Sequence, residues 1–215
     1  MYFAYDSQAT EYLAKKDKKL GAAIAQIGQI RRPVDADLFS AVVHHIIGQQ
    51  ISTAAQATVW NRLTETVGTV NAAHLLHLGR DKLQSIGITF KKADYILDFA
   101  ERVQEGAFDI DALHTMPDER VILELSALKG IGVWTAEMIM IFCMQRPDVV
   151  SFGDLAVLRG MRMLYRHRRI DRARFEKYRN RYSPYGTVAS LYLWAIAGGA
   201  IPGLTDPAAP GRRRK

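Results

Sequence analysis

Apolar residues recur every three or four positions along most of the chain, the spacing that lines one face of a helix. Read this way, helices are expected over Asp6–Leu20 and Ala22–Ile30, with a break at the glycine between them. A long apolar pattern covers Asp37–Val67 (Leu38, Val42, Ile46, Ile47, then Ala54, Ala57, Val59, Leu63) and is interrupted around Gly48. Further helices are expected over Asn71–Leu78, Asp81–Ile86, Lys91–Gln104, Pro117–Leu125, Val133–Met144, Leu155–Tyr165, Asp171–Tyr182 and Tyr185–Ala197. No stretch alternates apolar and polar residues between hairpin turns, and no unit of 20–50 residues repeats. The pattern predicts an all-α protein. Thr205–Lys215, with Pro207, Pro210 and a basic run, reads as a disordered tail.

Composition narrows the class. With 215 residues, 48% of them hydrophobic and 24% charged, the chain can bury a core as one domain or two small lobes. One cysteine, Cys143, excludes a disulfide framework, a multi-cysteine zinc site and a four-cysteine iron–sulfur cluster. The start MYFAYDSQAT has no basic stretch followed by an apolar run. The uncharged stretch Val188–Leu204 is broken by Gly198, Gly199 and Pro202 and is too short to span a bilayer. No membrane association is expected, and the chain reads as a soluble, intracellular protein, cytoplasmic or, in a eukaryotic cell, nuclear. Charge is concentrated. Of the net +7, the segment Arg159–Arg181 supplies +8 and the tail Arg212–Lys215 +4, so the remainder carries −5. A focused basic zone suits a polyanion whose phosphates exchange their counterions for Arg and Lys; Arg-rich helices can equally be solvated faces.

The most specific local signal is Leu128-Lys-Gly-Ile-Gly-Val-Trp-Thr-Ala136. Gly130 and Gly132, one residue apart between two helices, permit a tight hairpin. The first amides of the next helix are then left bare around Gly130, Ile131, Gly132, Val133 and Thr135, at the positive end of a helix dipole. Such a site takes one phosphate through backbone alone and is blind to base sequence. A plain helical corner with packing glycines is the alternative reading. Downstream, Arg146-Pro-Asp-Val-Val-Ser-Phe-Gly-Asp154 leads into another helix, where Asp154 also suits an N-cap.

Hairpin, helix, loop and an Asp opening the next helix together resemble the helix-hairpin-helix DNA glycosylase superfamily. Ile47-Gly-Gln-Gln-Ile-Ser52, Ile86–Ile96 and Tyr178–Trp194 are similar to further segments of that family, in the same order, so the resemblance covers roughly residues 36–200. It implies two helical lobes flanking a cleft for DNA and a flipped base, one lobe of about 36–125 and the other of about 1–35 plus 126–204. It implies Asp154 as the catalytic carboxylate and Gln49, Gln50 and Ile51 as the wedge that enters the duplex. Members that cut the strand carry a Lys two residues after the second hairpin glycine. Trp134 stands there, and an indole cannot form the required imine. This is similar to the alkylpurine branch, the 3-methyladenine DNA glycosylase II type, which also has a Trp matching Trp194. The implied base pocket is Trp134 and Trp194, with Met138 and Tyr192. The implied activity is hydrolysis of the N-glycosidic bond of 3-methyladenine or 7-methylguanine in duplex DNA, leaving an abasic site, with a monomer acting alone.

No cofactor is required by this chemistry. The resemblance implies a structural monovalent cation, Na or K, on the hairpin carbonyls of Ser126, Leu128 and Ile131. Glu137 and Asp148 rival Asp154 as the acid, and His44 and His45, being consecutive on a helix, make a poor metal pair. Arg159 and Arg162 are candidate phosphate contacts or solvated surface. Excision of deaminated or oxidised purines, and a non-catalytic DNA-binding module, remain as other functional readings.

Overall fold

The computed structural model describes residues 1–208; the basic run of the expected tail, Arg212–Lys215, lies outside them. Regular structure is helical: α1 (Ser7–Lys16), α2 (Lys18–Ile27), α3 (Leu38–Gly48), α4 (Thr53–Val67), α5 (Ala72–Leu78), α6 (Arg80–Ser85), α7 (Phe90–Gln104), α8 (Asp118–Ser126), α9 (Val133–Phe142), α10 (Leu155–Tyr165), α11 (Arg172–Tyr182) and α12 (Gly186–Ala197). A 3-10 turn covers Ala112–Thr115, and one isolated antiparallel bridge pairs Tyr2 with Pro33. The all-α expectation holds. Among the described residues no helix is long and apolar enough to cross a membrane.

The chain forms two compact units. One is Met1–Val34 with the chain from Gln145 on, and the other is Asp35–Met144. The boundary expected near residue 125 therefore lies some twenty residues too early. Helix α9 packs against α8 and α3, and the Asp35 amide donates to the Phe142 carbonyl at 2.8 Å. Ala136, Ile139, Met140 and Ile141 are buried, so the hairpin and the helix behind it stay with residues 35–144.

In the Asp35–Met144 unit, α3 is apolar almost all round and buries Leu38, Phe39, Ala41, Val42, Val43, Ile46 and Ile47, as a central helix must. Helix α7 packs on α3, α5 and α6, with Phe99 stacked on Phe39 at 4.8 Å between ring centroids. In the other unit, α12 takes the central place and packs with α1, α2, α10 and α11. Gly160 of α10 lets the two backbones meet, since a Cβ there would lie 2.2 Å from the Leu193 carbonyl oxygen.

The expected break after Leu20 falls instead at Asp17. Its Oδ1 accepts the Lys19 and Leu20 amides at 3.0 Å each and caps α2. Gly21 sits inside α2, where a Cβ would come 2.7 Å from Ala14 Cα, so it serves close helix packing rather than chain reversal. Asp17 Oδ2 accepts from Tyr165 Oη at 2.9 Å and from the Arg181 guanidinium at 3.2 Å, and the Tyr165 and Tyr182 hydroxyls are 2.8 Å apart. Burial pushes both phenols up from their ordinary pKa. The expected tail is in part anchored, since Arg162 makes a two-pronged ion pair with Asp206, which holds the Asp206 carboxyl below its ordinary pKa.

Candidate functional site

Helix α8 ends at Ser126 and the chain turns tightly, the Ile131 amide donating to the Leu128 carbonyl at 3.1 Å. Leu128 and Ile131 are buried and anchor the turn, while Lys129, Gly130 and Gly132 face solvent. Gly130 has φ +83°, a left-handed conformation that disfavours side chains, and a Cβ there would lie 2.4 Å from the Tyr95 ring. Gly132 opens α9 and offers no side chain to cap it. The helix therefore presents its opening amides at the positive end of its dipole, with Val133 and Trp134 exposed beside them. Thr135 is buried, so of the predicted hairpin set only its backbone is placed to serve an anion. Behind the hairpin, α7 supplies the support: Tyr95 packs on Gly130, and Asp98 pairs with Lys129 at 2.5 Å.

The predicted wedge residues part company. Gln50 is exposed at the tip of the α3–α4 connection with φ 58°, and Ile51 beside it is 39% exposed. A non-glycine residue in this region carries about 1 kcal/mol or more of backbone strain. Gln49 is half-buried and points to the hairpin, its Nε2 donating to the Gly130 carbonyl at 2.6 Å, so its side chain is engaged there rather than extended beside Gln50. Sequence reading missed Lys92, whose ammonium donates to the Ile47 and Gln49 carbonyls at 2.8 and 2.7 Å. A signal was present: Lys91 and Lys92 fall in the first turn of a helix, where the dipole disfavours cations. A lysine there is best satisfied by carbonyls from elsewhere.

In the unit containing α10 and α12, the segment from Arg146 to Gly153 is stapled to the start of α12. Thr187 Oγ1 donates to the Arg146 carbonyl at 2.5 Å and accepts the Val149 amide at 3.0 Å, and Ser190 Oγ donates to the Val149 carbonyl at 3.0 Å. Asp148 accepts from Ser183 Oγ at 2.6 Å and the Gly186 amide at 3.0 Å, with Arg179 at 3.5 Å. This rival carboxylate is committed to holding the loop. Glu137, the other rival, is partly buried within α9. Asp154 ends the loop as the N-cap of α10, its Oδ1 accepting the Ala156 and Val157 amides at 2.8 Å each. It is 6% exposed, yet Gly153, Leu155 and Ala156 around it are exposed, Leu155 by 81%. The carboxylate lies just beneath the surface in a rigid setting.

Of the predicted pocket residues, Trp134 is 47% exposed and Trp194 partly buried, while Met138 is buried one turn after Trp134. Tyr192, expected in the pocket, lies elsewhere. It is fully buried, its hydroxyl donating to the Gly28 carbonyl at 3.0 Å, so it belongs to the core. Two residues along a helix rotate the side chain by roughly 200°, which turns Tyr192 away from the side of Trp194.

The basic segment is also less available than its charge suggests. Arg159 and Arg162 face Asp206, Arg172 pairs with Glu176, Arg179 with Asp148 and Arg181 with Asp17. Five of the nine arginines thus have carboxylate partners within their own unit, and the two singled out for phosphate share Asp206.

Among the described residues no group of three His, Cys, Asp or Glu is placed to hold a metal ion. Burial pushes the His45 imidazole down to about 4, helped by His44. The unfolded chain therefore takes up the proton first as pH falls from the ordinary 6.5. The neutral ring's contribution to stability is full above about pH 6.5 and is lost toward pH 4, by at most about 1.4 kcal/mol per pH unit. Thermal melts between pH 7 and 4 are expected to show this slope, and His45→Gln to flatten it; parallel slopes would count against the assignment.

The profile of the HhH-GPD superfamily of base excision DNA repair proteins matches residues 43–184. The crystal structure of DNA-3-methyladenine glycosidase from Bacillus halodurans superposes with a TM-score of 0.82 at 34% identity, covering 92% of this chain and 93% of that one. The 3-methyladenine DNA glycosylase of Schizosaccharomyces pombe, in complex with abasic DNA, gives a TM-score of 0.75 at 23% identity, covering 87% of this chain and 95% of that one. YfjP of Bacillus subtilis is 24% identical over 173 residues, which are 75% of this chain and 59% of YfjP, so this chain spans less than two thirds of that relative's length. With its glycine hairpin, the uncapped helix behind it and Asp154 at the head of α10, the chain belongs to the HhH-GPD superfamily of base excision DNA repair proteins.

Proposed function

We propose that this protein is a monofunctional DNA glycosylase that hydrolyses the N-glycosidic bond of alkylated purines, 3-methyladenine and 7-methylguanine, in duplex DNA and leaves an abasic site. The observation that carries this reading is one chain holding both a helix start with no side-chain cap behind a glycine hairpin and a carboxylate fixed just beneath the surface at the head of another helix. The names of the Bacillus halodurans and Schizosaccharomyces pombe relatives support the substrate class.

The amides opening α9 take a DNA phosphate and position the strand without reading bases. Flipping the damaged base costs a few kcal/mol, less where methylation has weakened pairing. Gln50, with Ile51 beside it, fills the vacated space. A methylated purine is cationic, and the indole faces of Trp134 and Trp194 attract it, each by about 0.5–2 kcal/mol. Alkylation has already made the base a good leaving group, so it departs neutral without a general acid. The sugar is left with oxocarbenium character, which the Asp154 carboxylate stabilises while it positions the attacking water. Trp134 lacks an amine, so no imine forms with the sugar and the strand stays intact.

The hairpin carbonyls of Ser126, Leu128 and Ile131 suit a hard monovalent cation, because they are neutral oxygens on one short turn. Leu128 already accepts one hydrogen bond, and a carbonyl oxygen has two lone pairs. Such an ion would supply charge between backbone and phosphate. The protein acts as a monomer, in the cytoplasm or, in a eukaryotic cell, the nucleus.

Incubation of methylated duplex DNA, with chromatography of the released bases and a gel run with and without hot alkali, tests the proposal. Methylpurines are expected in solution, with strand breaks only after alkali. Strand cutting without alkali would overturn the monofunctional assignment, and no base release would overturn the proposal.

A further inference from the structure

The end of α3 is fastened by side chains from three places. Gln56 Nε2 donates to the His44 carbonyl at 3.0 Å and lies over Gly48, where a Cβ would come 2.4 Å from it. Lys92 holds the Ile47 and Gln49 carbonyls, and the Gln49 carboxamide holds the Gly130 carbonyl of the hairpin. Between these fastenings and α4 stands Gln50, exposed and left-handed. Strained backbone persists only where its surroundings over-determine it. Here the residue just before Gln50 is fixed through its carbonyl by Lys92 and through its side chain by the hairpin. The cation also sits at the negative end of the α3 dipole, which favours it there.

From this arrangement, and resting on the glycosylase reading above, we infer that Lys92 and Gln49 are positioning residues that lock the Gln50 tip to the phosphate-binding hairpin. Phosphate anchoring at Gly130–Val133 and insertion of Gln50 then occur in one fixed register. A loose tip would bind duplex phosphates as before but would fill a gap in the stack poorly, because the ordering would have to be paid for on binding.

The test uses the full chain and two probe duplexes. One is undamaged, and the other carries a tetrahydrofuran abasic analogue next to 2-aminopurine, whose fluorescence reports unstacking. Lys92→Met is expected to weaken binding to the abasic-analogue duplex about tenfold and to remove the fluorescence change, with less than twofold effect on the undamaged duplex. Lys92→Arg, which keeps a cation, is expected to stay within about threefold of the parent. Gln49→Met, similar in length and uncharged but unable to donate to Gly130, is expected to behave as Lys92→Met and carries the test if that variant does not fold. In a Gln50→Gly background, Lys92→Met is expected to add less than about twofold, because the group it positions is gone.

Equal weakening on both duplexes, or full additivity with Gln50→Gly, would overturn the inference and leave Lys92 a plain stability residue. Neither duplex offers a base to release, so the outcome is independent of catalysis. A parent protein that shows the fluorescence change but releases no methylpurine would sink the glycosylase reading alone.

Discussion

Asp154→Asn is expected to lower single-turnover release of methylpurines by about a thousandfold, in the upper range for removing a preorganised electrostatic partner of a transition state. Affinity for duplex DNA should change less than about twofold, because phosphate anchoring rests on the backbone at Gly130–Val133. Folding should be nearly untouched. Asn is as good an N-cap as Asp, and its amide oxygen can accept the Ala156 and Val157 amides as Oδ1 does now. Asp154→Ala adds the loss of that cap, about 1 kcal/mol of stability. The pair of variants separates charge from capping: activity lost in both with stability lost only in the alanine variant identifies a catalytic charge. Unchanged turnover in Asp154→Asn would remove the residue from the mechanism.

Asp17→Ala is expected to be the most destabilising single substitution outside the hydrophobic core. It removes the cap of α2 and leaves the buried Tyr165 hydroxyl and the Arg181 guanidinium without their shared acceptor. Removing one partner of a buried pair costs about 3–5 kcal/mol, and the partial exposure of Arg181 places this case at the lower end. For a chain of this length 1 kcal/mol shifts Tm by about 2–4 °C, so a fall of roughly 10 °C is expected in a circular-dichroism melt. Asp17→Asn keeps the cap through its single amide oxygen but loses the acceptor facing Arg181, while the Tyr165 hydroxyl retains Tyr182 as a partner, and it should lose about half as much. A fall in Tm within about 3 °C for the alanine variant would show that water or local rearrangement replaces the acceptor.

Helix identity was legible because a 3.6-residue apolar period and local capping residues are properties of short stretches of chain. Thr89, Ser52 and Asp171 each accept an amide of the helix they open, as residues of their type commonly do. The break at Asp17 is easily misplaced because a glycine is a stronger sign of interruption than an aspartate. Yet Gly21 answers to the close approach of Ala14, which no local window contains. The boundary between the two units is misplaced for a similar reason. Resemblance groups the hairpin with the helices after it, whereas the packing of α9 on α3 joins it to the helices before it. Charge misleads in another way. Counting arginines between 159 and 181 gives the field they could produce in isolation, and Asp17, Asp148 and Asp206 take up much of it.

The amino-acid order alone therefore determined the all-helical class, the glycine hairpin with its uncapped helix, Asp154 at a helix head and the absence of an amine at Trp134. Each depends on neighbours within a few residues, where backbone geometry and side-chain reach are set by spacing. Tertiary structure alone decided that Gln49 reaches Gly130, 81 residues away, that Lys92 caps carbonyls 43 and 45 residues upstream, and that Tyr192 is core. Those roles come from the helix faces that burial of apolar surface drives together, a force without direction along the chain.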